Sequence, residues 1–131
     1  LRASDSEILE AAQLSRADDF IQQNPAGFDL QVSERGEGLS GGQRQAITLA
    51  RALIGKPPIL LFDEPTAAMD VQSEAGVVER LSKHAEGRTL IIVTHRTSLL
   101  SLVDRVIVMD RGRIIADGPK SILDRGREAA E

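Results

Sequence analysis

The sequence predicts an α/β fold in which a parallel sheet with helices follows a helix-rich first third. Two short, continuous apolar runs, Ile59 to Phe62 and Leu90 to Val93, have the pattern of strands buried on both faces of a parallel sheet. Between them, Val71 to Ala85 carries apolar residues at helical spacing, which completes a β-α-β crossover. With 131 residues, 41% of them hydrophobic, the chain is sized for one ordinary domain with a core.

The first third of the chain is polar and helix-prone. Ser4 to Glu7 has the pattern of a helix-capping box, and an apolar face at helical spacing continues from it through Phe20 and Ile21. Asn24 to Gly27 predicts a turn, because its Pro and Gly interrupt regular structure. The polar segment Gln31 to Gly38 predicts a loop.

A further helix is predicted to begin at Gly41 and to end at Gly55, with apolar residues at helical spacing between them. Pro57 and Pro58 prevent its continuation. The Gly-rich turn that contains Ser40 therefore lies at a helix N-terminus.

A β-hairpin is predicted near the end of the chain. Its strands are Arg105 to Met109 and Arg113 to Ala116, joined by a turn at Gly112. Pro119 is expected to open a last short helix through residues 122 and 123, and from Arg125 the chain has the character of a frayed tail.

Composition excludes several functions. Only 2% of the residues are aromatic, so no platform for stacking bases is available, and the net charge of −4 argues against a nucleic-acid surface. The chain has no cysteine, which excludes disulfides and thiol catalysis. Its longest apolar runs are far shorter than the roughly 20 residues that span a bilayer. We therefore expect no nucleic acid as a partner, and any membrane role requires another segment.

The turn at Ser40, Gly41 and Gly42 has the chemistry of an anion site. At the first turn of a helix, unpaired backbone N–H groups and the helix dipole favour a phosphate. The alternative is a plain N-cap serine followed by glycines that permit a tight turn. The motif alone does not decide between them.

Two adjacent carboxylates, Asp63 and Glu64, terminate the first apolar strand, where open parallel sheets place groups that contact ligands. Asp63 suits Mg²⁺, and Glu64 is placed to orient or deprotonate an attacking water. The alternative is a solvated turn, which Pro65 fits equally well.

His95 follows the second apolar strand and is therefore expected at the same sheet edge as Asp63 and Glu64. It is a candidate for contact with a γ-phosphate or for holding a water near Glu64. The alternative is a satisfied residue at the edge of the sheet. Asp70 either caps the next helix or reaches a neighbouring catalytic site. His84 has no such context and is expected to face solvent.

In this order and spacing, the motifs resemble those of ATP-binding-cassette (ABC) ATPases. Leu39 to Gln43 resembles the signature motif of that family, and Ile59 to Glu64 resembles its Walker B strand. Thr66 to Asp70 is similar to the D-loop, and His95 matches the switch histidine. The signature motif together with Walker B is highly specific.

The segments Asn24 to Asp29 and Val32 to Gly38 resemble the loop that couples the cassette to membrane domains in exporters, and bacterial type I protein-secretion ATPases are the subgroup suggested. The resemblance extends from about Asp5 to Leu123. It implies a partial P-loop NTPase (RecA-like) sheet with the ABC α-helical subdomain. Residues 1–55 would form the helical signature subdomain with the coupling loop, and residues 56–131 the C-terminal part of the core.

The resemblance also implies a mechanism in which two cassettes close head to tail on two ATP molecules with Mg²⁺, attached to transmembrane domains at the cytoplasmic face of a bacterial inner membrane. In this mechanism, the signature residues of one cassette contact the γ-phosphate bound by the other: Ser40, Gly41, Gly42 and Gln43. Within its own subunit, Asp63 is implied to bind Mg²⁺, Glu64 to act as the general base and His95 to contact the γ-phosphate. Asp70 is implied to communicate between the two sites.

No Gly-x-x-x-x-Gly-Lys-Ser/Thr loop occurs in the sequence, so the Walker A half is expected to lie before Leu1. We expect negligible ATPase activity from this segment alone. We also expect it to be marginally stable or to oligomerise, because four apolar strand residues would border open edges: Leu60, Phe62, Ile91 and Val93.

Two other functional classes remain open. One is a non-catalytic interaction module that presents its signature face to a partner cassette. The other is a soluble ABC ATPase of DNA repair or translation. Repair members usually carry long coiled coils between the Walker A and signature regions, and no heptad stretch appears in this sequence. The exporter-like run Val32 to Gly38 favours the membrane class.

Overall fold

A computed structural model describes residues 3–123, and these confirm the predicted α/β class with a parallel strand pair. The chain divides into two compact units, one that ends at His95 and one that begins at Arg96. The predicted subdomain boundary at residues 55 and 56 falls inside the first unit and stays a prediction. Within residues 3–123, no helix combines the length and the apolar character needed to cross a membrane.

The described residues contain four α-helices, two short 3-10 helices and four strands. The α-helices are α1 (Asp5–Ser15), α2 (Ala17–Ile21), α3 (Gly41–Leu53) and α4 (Val71–His84), and the 3-10 helices are Gly27–Asp29 and Thr97–Leu102. The strands are β1 (Ile59–Asp63), β2 (Thr89–Val93), β3 (Arg105–Asp110) and β4 (Arg113–Pro119).

The first helix begins where the sequence predicts. Ser4 caps α1, because its N–H donates to Glu7 Oε2 over 2.8 Å and its hydroxyl accepts from the Glu7 N–H over 3.4 Å. The helix does not run on to Ile21 as one continuous element. Arg16 takes a left-handed backbone conformation, with φ of 62°, and this conformation ends α1 before α2 begins.

The core of the first unit lies between helices that carry small and branched apolar residues. Helix α1 packs against α2, α3 and α4. Its alanines allow close approach to the larger side chains of the other helices. The buried apolar residues of these helices are Ala11, Ala12, Ala17, Ala46, Leu49, Ala50, Leu53, Val77 and Leu81.

Strands β1 and β2 are parallel, in register from Ile59 opposite Thr89 to Asp63 opposite Val93, and α4 connects them. This confirms the predicted β-α-β unit. The predicted burial of both strand faces is wrong for the described residues. Ile59 and Leu61 are 61% and 69% exposed, because side chains alternate across a strand and only one face of this pair is covered.

The same alternation divides the four residues expected beside open edges. Leu60 and Phe62 of β1 point to the covered face and are 2% and 6% exposed. Ile91 and Val93 of β2 are about half exposed. The uncovered apolar surface is therefore one face of the strand pair, and its residues are Ile59, Leu61, Ile91 and Val93.

The second unit contains the predicted hairpin. Strands β3 and β4 pair in antiparallel orientation, and the turn residues Arg111 and Gly112 have φ of 46° and 76°, as the favoured two-residue hairpin turn requires. Pro119 is not the start of a helix, which corrects the prediction. It is the last residue of β4, paired with Arg105, at a strand end where a missing N–H is tolerated. Residues 122 and 123 are helical, and the expected tail from Arg125 lies outside the described residues.

Candidate functional site

The signature turn (Ser40 to Gln43) begins α3 with a reciprocal capping box. The Ser40 hydroxyl accepts from the Gln43 N–H over 3.1 Å, and the Gln43 side-chain oxygen accepts from the Ser40 N–H over 2.8 Å. The N–H groups of Gly41 and Gly42 belong to the first helical turn, where a helix has no internal acceptor for them. The turn therefore combines the two alternatives that the sequence left open, a serine that caps the helix and a helix N-terminus suited to an anion.

The D-loop (Thr66 to Asp70) lies directly against this turn. A Cβ atom placed on Gly42 would lie 3.1 Å from the Ala68 carbonyl oxygen, and one on Gly41 would lie 3.4 Å from the Ala68 Cβ. Gly42 thus permits a backbone-to-backbone approach that a side chain would push apart. This close approach joins the two motifs in one surface.

Gln45 connects α3 to the segment that follows β1, a role that its place in the sequence does not predict. Its side-chain Nε2 donates to the Glu64 carbonyl oxygen over 2.8 Å, and its Oε1 accepts from the Ala68 N–H over 2.8 Å. Both ends of one amide are therefore used to hold the carboxylate segment and the D-loop at fixed distances from the signature helix.

Glu64 occupies an unusual backbone position at the end of β1. Its φ is 44°, which is uncommon for a residue other than glycine, and its N–H donates to the Val93 carbonyl oxygen over 2.9 Å. Its Oε2 accepts from the Thr94 hydroxyl over 3.1 Å. Its Oε1 accepts from the His95 N–H over 3.0 Å and lies 2.7 Å from His95 Nδ1. The structure therefore brings together Glu64 and His95, which the sequence placed at one sheet edge.

The electrostatics of Glu64 follow from these contacts. Partial burial raises the pKa of its carboxyl group, but the hydrogen bonds from His95 and Thr94 outweigh this effect and leave the pKa below its ordinary value. Glu64 is therefore an ionised acceptor at neutral pH. The His95 side chain is 80% exposed, so its ring is open to a ligand beyond the carboxylate.

Asp63 is the last residue of β1, opposite Val93 at the same edge, and it is exposed. Among residues 3–123 there is no group of three or more His, Asp or Glu side chains arranged to hold a metal. Mg²⁺ in phosphoryl-transfer sites is usually held by one or two carboxylates, water and substrate phosphates. One exposed carboxylate at the strand end fits that requirement.

Asp70 caps α4, as one of its two predicted roles requires. Its Oδ1 accepts from the Ser73 N–H over 2.9 Å and its Oδ2 from the Ser73 hydroxyl over 2.7 Å. These hydrogen bonds lower the pKa of the Asp70 carboxyl group. A cleft of about 250 Å³ separates this cap from the signature turn, and residues of both segments line it, including Ser40, Gln43 and Asp70.

A buried hydrogen bond between Thr66, the first residue of the D-loop, and Glu74 is also not predicted by the sequence. The Thr66 side chain is fully buried, and its hydroxyl donates to Glu74 Oε2 over 2.7 Å. Glu74 lies on α4, so this bond fixes the D-loop to the helix that follows it. A Thr in a loop followed eight residues later by a Glu in a helix gives no recognisable pattern.

Arg44 of the signature helix lies beside Gly36, in the loop predicted to resemble a coupling loop. Arg44 Nη1 donates to the Leu39 carbonyl oxygen over 2.6 Å. Gly36 has φ of 66°, and a Cβ atom placed on it would lie 2.9 Å from Arg44 Cδ. A side chain at residue 36 would therefore displace Arg44 from its bond to Leu39, the residue that follows the loop.

His84 does not face solvent, which corrects the prediction. Its side chain is only 9% exposed, its Nε2 lies 2.7 Å from Arg88 Nη1, and its Nδ1 lies 4.0 Å from Glu10 Oε1. Burial lowers the pKa of His84, and the nearby Arg88 charge adds to this effect. The helix periodicity placed His84 correctly on α4 but did not show that α1 covers it.

The fold is that of a partial P-loop NTPase domain. The family model described as ABC transporter matches residues 3–67. The alpha-hemolysin translocation ATP-binding protein HlyB of Proteus vulgaris is 48% identical over 111 residues, which are 85% of this chain and 16% of that protein. The heterocyst differentiation ATP-binding protein HepA of Nostoc is 47% identical over 116 residues, which are 88% of this chain and 19% of that protein.

A solved structure of a bacterial Atm1-family ABC exporter with ATP bound is similar over 100% of this chain and 25% of its own, with a TM-score of 0.89 and 38% identity. The chain belongs to the ABC transporter ATPase family. It spans less than a fifth of the length of the two curated relatives named above.

Proposed function

We propose that this chain is the C-terminal part of the nucleotide-binding domain of an ABC exporter, which binds and hydrolyses ATP to drive transport across a membrane. The observation that supports this most is the arrangement around Glu64. An ionised carboxylate at the edge of a parallel strand pair contacts an exposed histidine, and Gln45 ties the same backbone to the signature helix.

In the site of its own subunit, Glu64 acts as the general base that orients and deprotonates the attacking water. Its Oε1 accepts from the His95 N–H and lies against His95 Nδ1, whereas its Oε2 accepts from the Thr94 hydroxyl and can accept a second hydrogen bond, from the attacking water. His95 contacts the γ-phosphate through the exposed side of its ring. Asp63 would hold Mg²⁺, which when bound offsets the charge that develops on the phosphates.

The signature turn serves the site of a second cassette. Its helix N-terminus offers the N–H groups of Gly41 and Gly42 and the Ser40 hydroxyl to a γ-phosphate. Head-to-tail pairing places this turn against the nucleotide held by the Walker A loop of the partner cassette. Asp70, which lines the cleft beside the turn, communicates between the two sites.

The isolated chain lacks ATPase activity on this proposal. Its sequence contains no Walker A motif, and therefore no lysine and no nest of amides for the β- and γ-phosphates. The groups that remain contact only one end of the nucleotide. Their net attraction is too small to offset the entropy lost on binding.

The exporter assignment rests on the names of the relatives. They include an alpha-hemolysin translocation ATP-binding protein and an Atm1-family exporter, and the resemblance of Val32 to Gly38 to a coupling loop agrees with them. We infer that the full-length protein has transmembrane domains and that this segment lies at the cytoplasmic face of the membrane. Type I protein secretion is the transport role to test first.

Two measurements test the proposal. The full-length protein that carries this segment, reconstituted in lipid, is expected to hydrolyse ATP only with Mg²⁺ present, and calorimetric titration of Mg-ATP into the 131-residue chain is expected to show no binding. Tight Mg²⁺-dependent binding by the chain alone would mean that it contains a complete phosphate site. Failure of the reconstituted protein to hydrolyse ATP would overturn the proposed function itself.

A further inference from the structure

Arg16 has a backbone conformation that costs energy for its residue type. It links α1 to α2 with φ of 62° and ψ of 17°, in the left-handed region that favours glycine. Its side chain is only 25% exposed. A strained, mostly covered arginine at a helix junction persists only where its side chain makes compensating contacts.

Those contacts reach a different part of the chain. Arg16 Nε donates to Asp19 Oδ2 over 2.6 Å, within the same junction. Arg16 Nη1 donates to the Gln72 carbonyl oxygen over 3.0 Å, in the first turn of α4. The guanidinium group therefore bridges the α1–α2 junction and the beginning of α4, two segments separated by 56 positions in the sequence.

Gly76 makes room for this bridge. A Cβ atom placed on Gly76 would lie 2.5 Å from Arg16 Nη1 and 2.7 Å from Arg16 Cδ. Both distances are shorter than the van der Waals contact of non-bonded atoms, so the arginine would have to move. Glycine within a helix is less favourable than alanine. Its presence in the middle of α4 is explained by the arginine that lies across it.

A second arginine makes the reciprocal contact. Arg80, one helical turn beyond Gly76, donates from Nη1 to the Gln13 carbonyl oxygen and to Asp18 Oδ1, the latter over 3.3 Å. Its Nη2 lies 3.8 Å from Asp19 Oδ1. The carboxylate of Asp19 is therefore shared by two arginines: Arg16 of the junction and Arg80 of α4.

The bridge lies beside the candidate site. Arg16 lines the same cleft of about 250 Å³ as Ser40 and Asp70. The junction helices pack against α3, which begins at the signature turn, and Gln72 lies two residues after the Asp70 cap. The distance between the signature turn and Asp70 is therefore set in part by how α1 and α2 are held against α4.

We propose that Arg16 and Gly76 form a latch that holds the α1–α2 junction against the first turns of α4 and so positions the signature turn relative to the D-loop. Arg16 is a positioning residue: it contacts no nucleotide, and it acts through α3 and Asp70. The catalytic consequence of the latch rests on the proposed function, whereas the coupling between Arg16 and Gly76 does not.

The test is a double-mutant cycle in the reconstituted full-length protein. Arg16→Ala removes the guanidinium group, and Gly76→Ala displaces it with one methyl group. Each single variant is expected to lower kcat for ATP about tenfold with KM changed by no more than about twofold, because the signature turn acts in closure and not in first binding of the nucleotide. The double variant is expected to match Arg16→Ala, since the methyl group then has nothing to displace.

Arg51→Ala is the matched control. Arg51 is an exposed arginine of α3 with no ion pair within residues 3–123, and its loss is expected to leave kcat unchanged. If the effects of Arg16→Ala and Gly76→Ala instead multiply in the double variant, or if Arg16→Ala leaves kcat at the wild-type value, the latch does not position the site.

Thermal unfolding of the wild type, Arg16→Ala, Gly76→Ala and the double variant gives a second readout that needs no ATPase activity. Gly76→Ala is expected to lower the unfolding midpoint when Arg16 is present and to raise it or leave it unchanged in the Arg16→Ala background, because alanine favours the helix. The same change in both backgrounds would overturn the latch. A wild-type protein without ATPase activity would contradict the proposed function, and the unfolding cycle would still decide the latch.

Discussion

Glu64 Oε1 lies 2.7 Å from His95 Nδ1, close enough for the ring to donate a hydrogen bond to the carboxylate. A neutral imidazole that donates from Nδ1 has only an acceptor at Nε2. To donate from Nε2 to a phosphate while it keeps its bond to Glu64, His95 must therefore carry two protons.

Glu64→Gln is expected to reduce ATP hydrolysis by the full-length protein by about 100-fold or more, because the amide cannot accept the proton of the attacking water. The variant keeps the shape of the side chain, so binding of Mg-ATP is expected to persist. Glu86→Gln, an exposed carboxyl change near the end of α4, is the control and should be neutral. Steady-state hydrolysis above about a tenth of the wild-type rate would exclude Glu64 as the base.

His84 is expected to make the chain less stable in acid. Its pKa in the folded protein lies below the ordinary value of 6.5, so the unfolded chain binds the extra proton first as the pH falls. The contribution of neutral, buried His84 to the free energy of unfolding is therefore fully present above pH 6.5. It is lost progressively as the pH falls from there towards the lower pKa of the folded protein. The charged groups that face the ring are Glu10 of α1, Lys56 after α3, and Arg88.

The measurement is the thermal midpoint of the 131-residue chain and of His84→Gln, at about pH 7.5 and at about pH 5.5. The drop between the two pH values should be smaller for His84→Gln, which has no proton to gain. Equal drops for the two proteins would show that burial of His84 does not contribute to acid sensitivity. Carboxylates that titrate in the same range affect both proteins alike.

The two glycines of the signature turn are expected to differ in their tolerance of alanine. A methyl group on Gly41 meets the Ala68 Cβ at 3.4 Å, an ordinary contact, whereas one on Gly42 meets the Ala68 carbonyl oxygen at 3.1 Å. Since Gln45 holds Ala68 in place, Gly42→Ala should be less stable than Gly41→Ala by about 1 kcal/mol. Urea unfolding of the two variants measures this difference, and equal midpoints would mean that the D-loop yields freely.

Thr66→Val is expected to destabilise the chain by about 1 to 3 kcal/mol, because it leaves the buried Glu74 carboxylate without its hydroxyl donor. Thr48→Val is the matched control. Thr48 is exposed on α3, where its hydroxyl donates to the Arg44 carbonyl oxygen, and its loss should change stability by less than about 0.5 kcal/mol. Comparable losses in the two variants would argue against a special role for the buried bond.

The site edge could be predicted because it follows from chain geometry. Carboxyl ends of adjacent parallel strands meet at one edge, so two apolar runs joined by a helix suffice to bring Glu64 near His95. The capping roles of Ser40 and Asp70 follow from local pattern in the same way. These features depend on residues a few positions apart or on the regular spacing of strands.

The remaining features depend on contacts between distant segments. Gln45 bonds to partners 19 and 23 positions away, and nothing in its neighbourhood distinguishes it from a solvated glutamine. His84 is covered by α1, far from it in sequence. The left-handed backbone conformation of Arg16 could not be predicted either, because arginine rarely adopts it and no glycine marks the position. Periodicity locates such residues on elements but not against one another.

The two bonds of Gln45 have a mechanical consequence. A displacement of α3 along its axis strains the Glu64 carbonyl and the Ala68 N–H together, since a single planar amide holds both. If two cassettes pair head to tail as proposed, the Gln45 amide links the turn that contacts one nucleotide to the residue that activates water at the other. A shift of α3 on binding of a phosphate at the turn would then move the Glu64 backbone through this one side chain.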